Sequence, residues 1–194
     1  MTRVRLGILI SGRGSNMEAI LQASAARDYP AEPVLVLTNR PGAAGLAIAE
    51  TFGVATDHVD HRQFGEDREA FERELNTRLS AANIDLIALA GFMRVLTPWF
   101  VRKWHGRLIN IHPSLLPKYP GLHTHKRVLE AGDPTHGCSV HWVTEGVDEG
   151  AVIDQSALDV APDDTPETLA KRVLTLEHDL YPRALKLACA EIKR

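Results

Sequence analysis

Arg5-Leu6-Gly7-Ile8-Leu9-Ile10-Ser11-Gly12-Arg13-Gly14-Ser15-Asn16 opens the chain and decides the reading of its fold. Residues 5–10 form a continuous apolar run, the mark of a strand buried on both faces as in a parallel sheet. Residues 11–15 supply a Gly/Ser turn, and residues 16–26 read as a helix. A strand that feeds a helix through a glycine-rich turn is the first half of a βαβ unit. The same alternation continues downstream. Strands are expected at residues 33–38, 55–59, 85–90 and 108–111. Helices are expected from Ala43, over residues 66–82, from Thr97-Pro98, and over residues 123–130. The helix over 66–82 carries Phe71, Leu75 and Leu79 at four-residue spacing, which puts them on one face.

Residues 139–143 and 152–160 alternate more strictly, and are expected to pair antiparallel. A long final helix should start at Thr165-Pro166-Glu167, with Thr as cap and Pro in the first turn. The expected fold is a single-domain α/β, Rossmann-like architecture. Its sheet is mainly parallel, with helices on both faces and an antiparallel pair toward the C-terminal part.

Bulk properties suit one soluble domain. The chain has 194 residues, 44% hydrophobic and 24% charged, with formal net charge −3. That balance argues against a nucleic-acid surface. The N-terminal apolar run is too short to span a membrane and reads as no signal peptide. Cys138 and Cys189 make neither a metal-type pair nor a disulfide framework, in keeping with a reducing, cytoplasmic location. Oligomeric state is not legible, and a homodimer is the state kept open.

Ligands of parallel sheets bind outside the carboxyl ends of the strands, and the unusual motifs here fall at such ends. The loop Ser11–Asn16 could present helix N–H groups to a phosphate, or be a plain tight turn. Met17 stands where a dinucleotide fingerprint needs Gly or Ala, and no Walker lysine follows. Asn110 and His112 lie two apart on one strand and so on one side. An amide donor and an imidazole aimed at one point suit a developing oxyanion, although a hydrogen-bonded strand-end histidine is the plain alternative. Pro113, Pro117 and Pro120 stiffen the loop that follows. If one of its X–Pro bonds is cis, Leu116–Pro117 is the candidate. Asp148, beside Gly150, is either a carboxylate that supports His112 or a turn former. His123, His125, His136 and His141 lack metal-ligand spacing, so no metal is expected. No nucleophile elbow surrounds Cys138.

Asn110-Ile111-His112-Pro113-Ser114-Leu115-Leu116-Pro117, extended by Lys118-Tyr119-Pro120-Gly121-Leu122-His123-Thr124-His125, resembles the signature of the folate-dependent formyltransferases. The Tyr-Pro-Gly-Leu-His part is most similar to the phosphoribosylglycinamide formyltransferase branch. Residues 89–96 and 136–141 resemble it too. The resemblance implies an enzyme of purine biosynthesis with two small-molecule substrates, 10-formyl-tetrahydrofolate and glycinamide ribonucleotide. It implies Asn110, His112 and Asp148 as catalytic residues, and Gly14, Ser15, Asn16 and Glu177 around the substrate phosphate and ribose. It also implies Arg68, Met93, Arg94, Val95, Leu96 and Val143 around the folate, the loop 143–148 closing over it, and Ser139 in support. Arg13 and Cys138 depart from residues common in the family. A formyl-tetrahydrofolate hydrolase or a methionyl-tRNA formyltransferase is expected to carry a further domain. A nucleotide sensor on this fold would not need Asn110, His112 and Asp148 together.

Overall fold

Apolar runs separated by amphipathic segments bury themselves most fully as a sheet with helices on both sides. The computed structural model describes residues 3–192. Its elements are β1 (Val4–Ile10), α1 (Ser15–Ser24), β2 (Ala31–Thr38), α2 (Ala44–Thr51) and β3 (Ala55–His58). After a 3-10 turn at His61–Phe64 come α3 (Arg68–Ala81), β4 (Leu86–Leu89), α4 (Pro98–Lys103) and β5 (Leu108–His112). The chain continues through α5 (Thr124–Ala131), β6 (Thr135–Trp142), β7 (Val152–Asp159) and α6 (Pro166–Ile192).

The sheet order is β3-β2-β1-β4-β5-β6-β7. The first five strands are parallel, while β6 runs antiparallel to both β5 and β7. Alternation along β1 divides the core. Leu6, Ile8 and Ile10 face one cluster with Met17 and Ile20 of α1 and Leu180, Tyr181 and Leu185 of α6. Leu9 faces the other with Phe71, Leu75 and Leu79 of α3 and Phe100 of α4. Tyr181 is fully buried, and its hydroxyl donates to the carbonyl of Leu89 at 2.9 Å, which fastens α6 to the carboxyl end of β4.

Most element boundaries follow local chemistry. Asp67 accepts from the Ala70 N–H and so starts α3 slightly after residue 66. Thr165 and Thr168 exchange hydrogen bonds at the start of α6, as a reciprocal cap does. The Leu116–Pro117 bond is cis, as the sequence suggested.

The long final helix is as expected and runs unbroken through Pro182. Two features differ from the expectation. A 3-10 turn follows β3, where Asp60 accepts from the Arg62 N–H. β6 begins at Thr135, well before residue 139, because Gly137 belongs to the strand. A Cβ on Gly137 would lie 2.0 Å from the Ser156 carbonyl oxygen on β7 and 2.9 Å from the Leu115 side chain. The glycine therefore marks close approach of two backbones rather than a turn.

Gly137→Ala should lower the unfolding free energy by about 2 kcal/mol through overpacking between β6 and β7. Urea unfolding reads this as a lower midpoint with an unchanged slope. An unchanged midpoint would mean that the two strands separate there at no cost.

Candidate active site

In this strand order the chain leaves β1 for β2 on one side and returns to β4 on the other, which opens a crevice beyond the carboxyl ends of β1 and β4. Pairing aligns Leu9, Leu89, Asn110 and His141 in one row across four strands. Loops that follow β1, β4 and β5 therefore meet along one edge.

The end of β5 carries the densest polar cluster. The Asn110 Nδ2 lies 3.3 Å from His141 Nε2. The Asp148 carboxylate sits 3.3 Å from His112 Nδ1 through Oδ2 and 3.5 Å from His141 Nε2 through Oδ1. The Gly121 N–H donates to Asp148 Oδ2 at 2.9 Å. His112 Nε2 is 3.0 Å from the Tyr119 carbonyl oxygen. Both ring nitrogens of His112 thus face oxygens, an arrangement that a proton on each would satisfy. Burial alone would push the Asp148 carboxyl up. The contacts with His141 and the Gly121 N–H, and the charge of His112, outweigh it and hold Asp148 below the usual carboxylate range.

Asp148 has φ 55°, so the left-handed backbone lies on the aspartate itself and not on the neighbouring Gly150. Gly150 serves closeness instead: a Cβ there would meet the Trp142 carbonyl oxygen at 1.6 Å.

Ser139 is fully buried on β6 and donates to the Ser114 carbonyl at 2.6 Å. It accepts from the Leu116 N–H at 3.0 Å and from Gln155 Nε2 at 2.7 Å. These bonds pin the proline-rich loop that carries Tyr119 and Gly121.

A second group forms where α1 begins. Gly14 takes φ 76° at the N-cap position, and no side chain caps the helix. The first-turn N–H groups, those of Ser15 and Asn16 included, are left for a ligand, and the helix dipole favours an anion there. Asn16 Nδ2 donates to Glu177 Oε2 on α6 at 2.6 Å, while the buried Asn16 Oδ1 has no partner. Burial pushes the Glu177 carboxyl up, against the lowering effect of Asn16. Arg13 is exposed.

The third group follows β4. Met93 and Val95 are 68% and 66% exposed, a large apolar display for a loop. Arg94 lies over the Phe71 ring at 5.3 Å, and the Arg68 guanidinium donates to the Val95 carbonyl. The Val143 N–H bonds the Leu108 carbonyl at 2.9 Å, and its side chain, like that of Leu96, packs against the second core.

The sequence reading missed two things. His141, considered only as a metal ligand, closes the polar cluster. Its signal was the spacing Ser139-x-His141, which matches Asn110-x-His112 on the neighbouring strand. Ser11 joins two loops: its hydroxyl donates to Asn39 Oδ1 at 2.6 Å and accepts from the Met93 N–H at 2.8 Å. Among the described residues no cluster of His, Cys, Asp and Glu has the form of a metal site, and no helix is long and apolar enough to cross a membrane.

Residues 4–185 match the formyl transferase family. The chain is 50% identical over 187 residues to the trifunctional purine biosynthetic protein adenosine-3 of Drosophila melanogaster, an alignment that takes in 95% of this chain and 14% of that protein. The chain thus spans only a small part of such trifunctional relatives. It is 46% identical over 175 residues to phosphoribosylglycinamide formyltransferase of Escherichia coli, covering 90% of this chain and 82% of the other. The crystal structure of phosphoribosylglycinamide formyltransferase from Brucella melitensis superimposes with a TM-score of 0.92 at 49% identity, over 97% of both chains.

Next to the polar cluster, His125 Nδ1 and His136 Nε2 lie 3.0 Å apart. Burial pushes both rings down, His136 to about 4. Unfolded, each titrates near ~6.5. The stability that a neutral His136 provides is whole above ~6.5 and is lost as the pH falls toward 4. Urea titrations of His136→Gln should therefore give an unfolding free energy that varies less with pH across that window than in the parent. Equal slopes would mean that His136 charges freely in the folded protein.

Proposed function

The chain belongs to the formyl transferase family, and we propose that it moves a formyl group from 10-formyl-tetrahydrofolate to the amine of 5-phosphoribosyl-glycinamide, in purine biosynthesis. We propose further that the whole chain acts as one formyltransferase domain. The observation that carries this reading is the meeting of Asn110, His112 and Asp148 at the end of β5. On the same sheet edge lie an uncapped helix start and an apolar loop.

The substrate phosphate docks on Gly14, Ser15 and Asn16, with Glu177 and Asn16 toward the ribose. The folate lies against Met93, Arg94, Val95 and Leu96, with Arg68 holding that loop from behind and Val143 at the base of the loop before Asp148. The amine nitrogen attacks the formyl carbon, and the carbonyl electron pair moves to oxygen. The Asn110 amide has two N–H donors. One faces His141, which leaves the other for the oxyanion. His112, supported at Nδ1 by the ionised Asp148, supplies the second donor from Nε2, where the oxyanion takes the place of the Tyr119 carbonyl. As the intermediate collapses, the bond from carbon to the folate nitrogen breaks. The proton lost by the amine passes to that nitrogen through the Asp148–His112 pair. No covalent enzyme intermediate is needed.

A cytoplasmic location is part of the proposal, in keeping with two cysteines that are both buried.

Purified protein, glycinamide ribonucleotide and 10-formyl-tetrahydrofolate should yield folate product by absorbance only when the amine is present. Asn110→Ala should lower kcat about 10²–10³-fold, the usual effect of removing one oxyanion donor. Folate product formed equally without the amine would make the protein a hydrolase. No product at all would leave a binding module, and undiminished turnover in His112→Ala would remove that residue from the chemistry.

A further inference from the structure

His141 faces Asn110 across the β5–β6 pairing and is only 2% exposed. Its Nδ1 lies 3.0 Å from the Trp142 carbonyl oxygen. A carbonyl oxygen can only accept, so Nδ1 must carry a proton to bond it. In the neutral ring Nε2 is then a bare lone pair. That lone pair faces Asn110 Nδ2 at 3.3 Å and accepts one of its N–H groups. Turning the amide over would set Asn110 Oδ1 against the same lone pair, two acceptors in a buried site.

Asp148 Oδ1 is the other neighbour of Nε2, at 3.5 Å. It is too distant for a good hydrogen bond, and the carboxylate is already placed by Gly121 and His112. Only a doubly protonated ring would donate to Asp148, and it would draw the Asn110 amide oxygen-side, the alternative that the ring spectra below distinguish.

From this geometry we infer that His141 is a positioning residue: as a neutral Nδ1–H imidazole it fixes the Asn110 amide nitrogen-side toward itself, and so aims the second amide N–H at the reacting formyl oxygen. The inference rests on the formyl-transfer reading for its catalytic consequence but not for its geometry. The backbone carbonyl of Trp142 sets the tautomer, the tautomer sets the amide, and the amide sets the donor.

Two measurements test it. In the formyl-transfer assay, His141→Ala should lower kcat roughly 10²-fold with KM for both substrates unchanged. His141→Gln, whose amide oxygen can accept the same N–H, should recover part of the loss. With Asn110 already replaced by Ala, adding His141→Ala should change kcat little. A double variant that loses the full factor of both singles would overturn the inference, as would a raised KM with kcat intact. Nitrogen-15 spectra of the His141 ring in the unmodified protein, taken above neutral pH, should show Nδ1 protonated and Nε2 bare. The opposite tautomer would overturn the inference whatever the protein catalyses. The expected tautomer in a protein that transfers no formyl group would uphold the geometry while discarding the proposed function.

Discussion

The Asp148 carboxylate is where three separately folded segments meet. A buried negative charge is costly unless it is bonded on several sides. Here the Gly121 N–H of the loop after β5 donates to it and His112 of β5 faces it, with His141 of β6 alongside at 3.5 Å. None of those partners can be satisfied unless β6 lies beside β5 with Asn110 opposite His141. The change from parallel to antiparallel pairing at β5 is therefore part of the site. A parallel neighbour would need a long crossover before its next strand, whereas β6 delivers its last residues straight into the loop that carries Asp148. Gly150, pressed against the Trp142 carbonyl, lets that loop close back on the strand it has just left.

Much of this was legible in the residues. The apolar runs at β1, β4 and β5 and the four-residue spacing of Phe71, Leu75 and Leu79 are local signals, and they survive because each element buries what its own pattern presents. Asn110 and His112 were legible for the same reason, since alternation along one strand fixes their common side. What escaped was cross-strand. Gly137 looks like a break until Ser156 is known to lie against it. His141 looks like a stray histidine until its register partner is known. Glu177 and Asn16 are joined by a contact between residues distant in sequence, and only the resemblance to a family had put them together. Pro182 resisted its local rule because the buried face of α6, anchored by Tyr181 on the Leu89 carbonyl, outweighs one missing N–H.

The same contrast holds for the apolar loop after β4. Met93 and Val95, which the family resemblance placed around the folate, are apolar side chains that the structure leaves open to solvent. Their neighbours are firmly held: Arg68 bonds the Val95 carbonyl, and the Glu72 carboxylate accepts from the Thr97 N–H at 2.7 Å. The loop is thus a braced backbone that displays side chains, which is how a scaffold offers a flat apolar ligand both contact and fixed carbonyls.

The Ser11 hydroxyl touches that brace from the other side, through the Met93 N–H, while its own backbone leads into the turn before α1. One hydroxyl thus belongs to the wall of both regions proposed to bind substrate. Thermodynamic linkage then makes the relation between them symmetrical. Whatever factor an anion at the start of α1 imposes on binding at the Met93 loop, a ligand at that loop must impose on the anion, in the same sense and to the same degree. For the two substrates of the proposed reaction, the hydroxyl would give the fold a means by which the first to arrive changes the affinity for the second.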